Sequence, residues 1–112
     1  MKMQSSIIAI ACSMSLWSGV CLAADDQVDY LKQVKPILRE RCYACHGALK
    51  QEGGLRLDTA ALAIKGGDSG TSIQLGDAAA SLLLERVSAT EEAERMPPEG
   101  EALRDAEADL FR

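Results

Sequence analysis

Two cysteines and one histidine are the residues whose types and spacing most clearly specify a chemistry in this chain. They form the run Cys42-Tyr43-Ala44-Cys45-His46. Two thiols separated by two residues, with a histidine directly after the second, are the attachment pattern of a c-type haem. Cys42 and Cys45 would form thioethers with the haem vinyl groups, and the His46 imidazole would bind one face of the iron. One covalently attached haem c is therefore the predicted cofactor.

Met96 is predicted to be the second axial ligand of the iron. The sequence contains four cysteines, four methionines and one histidine. Without residues 1–24, only Cys42, Cys45, His46 and Met96 remain of these types. A thioether paired with an imidazole is the cytochrome c ligand set. Two prolines follow Met96 and favour a stiff, non-helical loop that can present the sulfur. The alternative is a surface methionine in a linker.

Three other interpretations of the cysteines remain open at this point. A thioredoxin-like pair needs a βαβ setting, and the sequence has no β alternation that persists. A structural zinc site needs four closed ligands, whereas Cys42, Cys45 and His46 are three. A plain disulfide between the two cysteines is the third interpretation. No catalytic site is predicted, because His46 is assigned to iron and no base remains for a nucleophile.

The N-terminus has the layout of a secretory signal peptide. Lys2 lies in a short polar start, Ile7 to Ala24 contains no charged residue, and small residues precede Asp25. We therefore predict a signal peptide at residues 1–24, cleaved after Ala23 or Ala24, and an exported, periplasmic protein. The alternative is an uncleaved membrane anchor, since this run is close to the shortest that can span a bilayer.

The remaining residues, 25–112, are predicted to form one small haem domain. The formal charge of the whole chain is −5, which argues against a nucleic-acid partner and favours a basic or polar docking patch on a redox partner. A domain of this size is marginally stable without a staple, and the haem would serve as one. Arg56 and Arg95 are candidates for neutralising the haem propionates.

Helical spacing and the lack of strand patterns predict an all-α fold with glycine-rich loops between short helices. Val28, Leu31, Val34 and Leu38 are the expected buried face of the first helix. A kink is expected at Pro36. The predicted helices are a first one from Asp25 or Asp26 to Arg41, then Thr59–Lys65 capped by Asp58, Ala78–Val87 capped by Asp77, and Asp105–Arg112.

Several motifs in a fixed order resemble the planctomycete-type cytochrome c domain, over roughly Val28 to Leu110. They are Val34-Lys35-Pro36-Ile37-Leu38, Cys42 to Gly47, Gly53-Gly54-Leu55-Arg56-Leu57-Asp58, Gly66-Gly67-Asp68-Ser69-Gly70, Gly76-Asp77 with Ser81-Leu82-Leu83, and Arg95-Met96-Pro97-Pro98. The resemblance implies a class I cytochrome c-like helical domain, thioethers at Cys42 and Cys45, and axial ligands at His46 and Met96.

The resemblance also implies an electron-transfer domain, not an enzyme, that is the N-terminal module of a larger exported protein. Its partners would be redox proteins or downstream domains of the same chain. Two alternatives are a haem-based sensor of small ligands and a relay fused to an enzyme. Two departures from the family are Arg104, where a capping Ser or Thr is usual, and an end at Phe111-Arg112, which predicts a shortened final helix.

Overall fold

The computed structural model describes residues 27–112, which fold into short helices joined by turns. No strand occurs within these residues, so the all-α prediction is confirmed for this part of the chain. The predicted signal peptide at residues 1–24 lies outside the described residues and stays a prediction. The helices are α1 (Lys35–Arg41), α2 (Ala60–Lys65), α3 (Leu82–Ser88) and α4 (Asp105–Asp109), with a π-helical segment at Tyr30–Val34 and 3₁₀ turns at Glu52–Gly54 and Ala78–Ala80.

The first helical segment begins later than predicted. Residues 27–29 are not helical, and the carboxylate of Asp29 caps the segment by accepting the Lys32 backbone N–H at 3.1 Å. The π-helical turn then passes directly into α1, which has Pro36 in its first turn. A proline is tolerated there because the first backbone N–H groups of a helix have no partner within it. Near Pro36, where a kink is predicted, the helix changes from π-helical to α-helical geometry at Lys35 without a break. The predicted start at Asp25 or Asp26 is wrong, because residues 27–29 are not helical.

The buried face of this segment is narrower than the spacing predicted. Val34 and Leu38 are buried, but Val28 and Leu31 are 40% and 67% exposed. Val28 precedes the helix, and the wider turn of the π-helical segment takes Leu31 out of register with Val34. Helical spacing of 3.6 residues therefore predicted the face correctly only from Val34 onward.

Helix α2 is capped by a hydroxyl instead of the predicted carboxylate. Thr59 Oγ1 accepts the Leu62 backbone N–H at 3.3 Å. Asp58 is instead paired with the guanidinium of Arg56, with a shortest N–O distance of 2.6 Å. This pairing lowers the pKa of Asp58. Gly66 ends the helix at a φ of +83°, a conformation that other residues rarely adopt.

The helix predicted for Ala78–Val87 is divided at Ser81. Asp77 caps only the 3₁₀ turn before the break, where its carboxylate accepts the Ala80 backbone N–H at 3.1 Å. Ser81 itself is extended and buried. Its hydroxyl accepts the Gln74 backbone N–H at 2.9 Å and lies 3.1 Å from the Asp77 carbonyl oxygen. A serine hydroxyl that bonds to nearby backbone competes with a continuous helix, which accounts for the break.

A single apolar core joins α1, α2, α3 and α4. Leu38 and Leu57 are its most deeply buried large side chains. Helix α3 packs against α4, which adds Ala108. Cys42 and Tyr43, in the segment that follows α1, pack against this core. The buried apolar residues are Val34, Leu38, Leu57, Ala63, Leu83, Leu84, Val87, Leu103 and Ala108.

Helix α4 begins at Asp105, and Arg104 takes the N-cap position without the usual side-chain hydroxyl. The carboxylate of Glu107 reaches back and accepts the Arg104 backbone N–H at 2.9 Å. It also pairs with the Arg104 guanidinium at 3.0 Å. Because an arginine side chain has no acceptor, only this half of a capping box is formed. These contacts lower the pKa of Glu107 from its ordinary value of 4.5 to about 2.

Candidate functional site

One cavity of about 320 Å³ gathers all four residues that the sequence singled out. This volume is within the range of about 300–1,000 Å³ that is usual for small-molecule and cofactor sites. Its lining comes from four separated parts of the chain, and most of it is apolar or glycine backbone. The lining includes Arg41, Cys42, Cys45, His46, Leu55, Leu57, Gly67, Leu82, Leu83, Arg86, Val87, Met96, Pro97 and Pro98.

The first wall of the cavity is a tight turn that continues directly from α1. The Cys42 backbone N–H donates to the Leu38 carbonyl at 2.9 Å, and the His46 backbone N–H donates to the Cys42 carbonyl at 2.9 Å. The carbonyl of His46 in turn accepts the Leu57 backbone N–H at 2.8 Å. The turn is therefore tied at one end to α1 and at the other end to a core leucine.

Gly47 lets this turn close. It is buried, and a Cβ atom placed on it would lie 2.5 Å from the carbonyl oxygen of Tyr43. That separation is too short for any side chain, and the obstacle is backbone, which cannot rotate away. The glycine after His46 is therefore a steric requirement of the turn that holds both thiols and the imidazole.

The Met96 backbone is fixed by α3. Its backbone N–H donates to the carbonyl of Arg86 at 2.9 Å. Met96 is not helical, as the two following prolines predicted, and its side chain is 36% exposed. The thioether is therefore not used in the apolar core, and it contributes to the cavity lining together with Pro97 and Pro98.

Both thiols of the site are free, with no disulfide between Cys42 and Cys45. Burial raises the pKa of the Cys42 thiol to about 11, while the nearby Arg41 acts in the opposite direction. Among residues 27–112, no three His, Cys, Asp or Glu side chains lie close enough together to hold a metal ion. A structural zinc site would need four such ligands.

The Nδ1 atom of the His46 imidazole makes no hydrogen bond to another described residue. Nδ1 is buried and has no partner among the described residues. Two thiols, an imidazole and a thioether around one apolar cavity are the donor set of a c-type haem. The residues that line the cavity therefore fit the haem that the cysteine–histidine motif implies.

Two arginines contribute to the cavity, and neither was singled out from the sequence. Arg41 and Arg86 line it, whereas Arg56 and Arg95 do not. Arg56 is paired with Asp58, and Arg95 donates to the Gly100 carbonyl at 3.2 Å. The sequence did contain a signal for Arg86, because it follows Leu82 by four residues and Leu83 by three, so all three belong to one side of α3.

The fold and the lining define a small all-α domain built around a cofactor-sized cavity. The family model for planctomycete cytochrome c matches residues 42–100, a little over half of the chain. The chain therefore belongs to this family. Neither a curated protein nor a solved structure matches the chain.

Membership in this family has coarse functional consequences. Cytochrome c domains bind haem c and transfer electrons, and they are typically exported carriers and not enzymes. Within residues 27–112, no helix has the length and apolar character needed to cross a membrane.

Proposed function

We propose that this chain is an electron-transfer domain with one haem c, attached at Cys42 and Cys45 and ligated by His46 and Met96. The observation that carries the proposal is the cavity that all four side chains line together. When bound, haem c supplies one-electron chemistry at its iron. The residues of this chain would hold the haem and shield it.

The thiols of Cys42 and Cys45 provide the covalent attachment. The S–H bond of each thiol would add across one vinyl double bond of the haem, with sulfur bonding to the carbon next to the ring and hydrogen going to the terminal carbon. No atom leaves and no external oxidant is needed. Both cysteines being free thiols supports this assignment, since a disulfide would first have to be reduced.

His46 and Met96 would supply the two protein ligands of the iron. The turn after α1 holds the His46 backbone, and the hydrogen bond to the Arg86 carbonyl holds the Met96 backbone. With both positions filled by protein, small ligands are excluded from the metal. A soft sulfur ligand also favours the reduced iron and raises the reduction potential.

Arg86 is the cavity residue best suited to pair with a haem carboxylate. Its guanidinium makes only a long contact with the Glu94 carbonyl, at 3.4 Å. The other cavity arginine, Arg41, is engaged with Glu101 and Glu107. Arg86 replaces Arg56 and Arg95 in this assignment, because those two side chains lie outside the cavity lining.

The acidic chain is expected to dock on a redox protein with a basic or polar patch. Export to the periplasm, cleavage after Ala23 or Ala24, and membership in a longer exported protein stay predictions. No reaction on a substrate is proposed, because the single histidine is assigned to the metal.

The test is to express the chain with a haem-attachment system and to compare wild type with Met96→Ala. The wild-type polypeptide should keep the mass of one haem after denaturation and acid extraction. It should also show the low-spin spectrum of histidine–methionine ligation in both oxidation states. Met96→Ala should keep the covalent haem but lose the sulfur-to-iron charge-transfer band of the ferric form.

Carbon monoxide separates this proposal from a ligand sensor. The reduced wild type should show no spectral change with the gas, whereas reduced Met96→Ala should bind it. A bare-chain mass for the wild type would end the haem proposal altogether. A wild type that binds carbon monoxide readily would instead favour the sensor, with Met96 absent from the iron.

A further inference from the structure

Arg41 lies at the junction of three parts of the site. It is the last residue of α1, it directly precedes Cys42, and it lines the cavity. Its guanidinium donates to the carbonyl oxygen of Glu101, five residues after Met96. One side chain therefore joins the cysteine–histidine turn to the chain segment that presents the thioether.

A second contact holds the Arg41 side chain in place. One guanidinium nitrogen lies 3.8 Å from Oε2 of Glu107 in α4. That carboxylate is itself fixed, because the same oxygen accepts the Arg104 backbone N–H at 2.9 Å. The Arg41 and Glu107 side chains are 26% and 17% exposed, so solvent screens this pair less than it screens the ion pairs on the open surface.

The segment around Met96 is thus held from both sides. Before Met96, helix α3 holds it through the Arg86 carbonyl and, more weakly, through the Arg86 guanidinium on Glu94. After Met96, Arg41 holds it at Glu101. Between these points the chain contains Pro97 and Pro98, which have no backbone N–H to donate. Arg95 also donates to the Gly100 carbonyl at 3.2 Å, so the contact from Arg41 is the one that ties the C-terminal side of the thioether to the cysteine–histidine turn.

We infer that Arg41 is a positioning residue that keeps the Met96 thioether at the metal by linking the cysteine–histidine turn to Glu101. The inference rests on the proposed His46–Met96 ligation. Loss of the guanidinium frees the C-terminal side of the loop, so that the thioether leaves the iron more often. The iron then becomes accessible to external ligands, although every ligand residue is still present.

The experiment measures imidazole binding to the haem-loaded ferric protein in wild type, Arg41→Met and Arg39→Met. Both variants remove one positive charge from the same helix and keep an unbranched stem. Arg39 is exposed and outside the cavity lining, so Arg39→Met is the matched control. Arg41→Met should bind imidazole roughly tenfold more tightly than wild type, because hydrogen bonds from charged donors are among the stronger ones in proteins. Arg39→Met should bind it as wild type does.

Two further measurements separate positioning from general stability. Amide hydrogen exchange should speed up in the segment from Met96 to Glu101 in Arg41→Met. Arg41→Lys, which keeps the charge but has a single nitrogen, should recover part of the wild-type resistance to imidazole. A purely structural contribution would lower the midpoint of urea unfolding and leave the imidazole affinity unchanged, and that result would overturn the inference.

The outcomes also distinguish this inference from the proposed function. A wild type without the sulfur-to-iron band would remove the Met96 ligation itself. A wild type with that band, and an Arg41→Met variant that binds imidazole no better than Arg39→Met, would remove the inference alone. If Arg41→Met yields no haem-loaded protein, the imidazole affinity of Arg41→Lys is the deciding measurement. An affinity equal to that of wild type would count against the inference, and tighter binding of imidazole by Arg41→Lys would support it.

Discussion

Individual side chains of this domain divide between those that supply chemistry and those that hold them. No other residue can replace the two thiols, the imidazole or the thioether, since no other cysteine, histidine or methionine occurs between residues 27 and 112. The residues around them decide how firmly they are held. Met96, for example, is positioned through its backbone, whereas Arg41 acts through its guanidinium.

At Arg86, removal of the positive charge should lower the reduction potential. A cation beside the haem favours the reduced iron, whose net charge is less positive. Arg86→Gln should therefore shift the midpoint downward by an amount on the order of tens of millivolts. Spectroelectrochemical titration of the haem-loaded protein measures this shift.

Arg56→Gln is the matched control for that titration. Its guanidinium is already neutralised by Asp58, at 2.6 Å, and it does not line the cavity. Its midpoint should stay close to that of wild type. A larger shift of the midpoint potential for Arg56→Gln than for Arg86→Gln would indicate that Arg56, as the sequence predicted, and not Arg86 pairs with the haem carboxylate.

The helices show where sequence patterns were sufficient and where they were not. The motif after α1 and the loop with Met96 could both be found from residue types and spacing, because their chemistry depends on few residues. The break at Ser81 could not, since a hydroxyl bonds to the Gln74 and Asp77 backbone only once the chain has folded back. The cap of α2 could not be predicted either. Thr59 caps the helix instead of Asp58, because the Asp58 carboxylate is paired with Arg56.

The cavity arginines were missed for a similar reason. A charged residue on a helix is usually solvated, and periodicity alone gave no reason to treat Arg86 or Arg41 otherwise. Only the assembled fold shows that Arg86 shares the cavity with Leu82 and Leu83. Register with apolar neighbours is thus a weak but usable signal for such residues.

At the turn after His46, Gly47→Ala should destabilise the domain. The added methyl group would lie 2.5 Å from the Tyr43 carbonyl oxygen, and the backbone of the turn would have to move. We expect a loss of about 1–3 kcal/mol in the free energy of unfolding, as for other overpacked sites. Urea unfolding of the haem-loaded protein, followed by far-UV circular dichroism, measures this loss.

Gly76→Ala is the comparison variant for that measurement. Gly76 has a φ of +76°, but no atom lies within contact distance of an added Cβ. Its cost comes from backbone conformation alone and should be about 1 kcal/mol. A Gly47→Ala variant as stable as wild type would show that the turn has more room than its geometry implies.

At the scale of the whole molecule, the first and last α-helices of the described chain are joined by an ion pair as well as by the core. Arg41 at the end of α1 and Glu107 in α4 lie 3.8 Å apart. The chain as a whole is acidic, with a formal net charge of −5. Protonation of a few carboxylates therefore changes both the internal pairing and the surface that a partner meets.

Stability of the whole domain should depend on Glu107 in acid. Its contacts with Arg104 and Arg41 lower its pKa from 4.5 to about 2. A carboxylate with a lowered pKa contributes stability that is full above its unfolded-state pKa and is lost as pH falls towards the folded-state value. The wild type should therefore exceed Glu107→Gln in unfolding free energy at neutral pH. That difference should shrink as the pH falls from 4.5 towards 2.

Urea titrations of both proteins across this pH range provide the measurement. Glutamine keeps an acceptor for the Arg104 backbone N–H, so the comparison isolates the charge. A difference that stays constant from neutral pH down to the acid limit would contradict the assignment of the lowered pKa to these contacts.

The main-chain bond between Met96 and Arg86 has an evolutionary consequence. Since the bond to α3 uses the backbone N–H of residue 96 and not its side chain, the side chain at this position can be exchanged while that hydrogen bond stays in place. In the proposed haem domain, a single substitution at this position would change the reduction potential, while Cys42, Cys45 and His46 would still hold the haem. A lineage could thus adapt one scaffold to donors and acceptors of different strength.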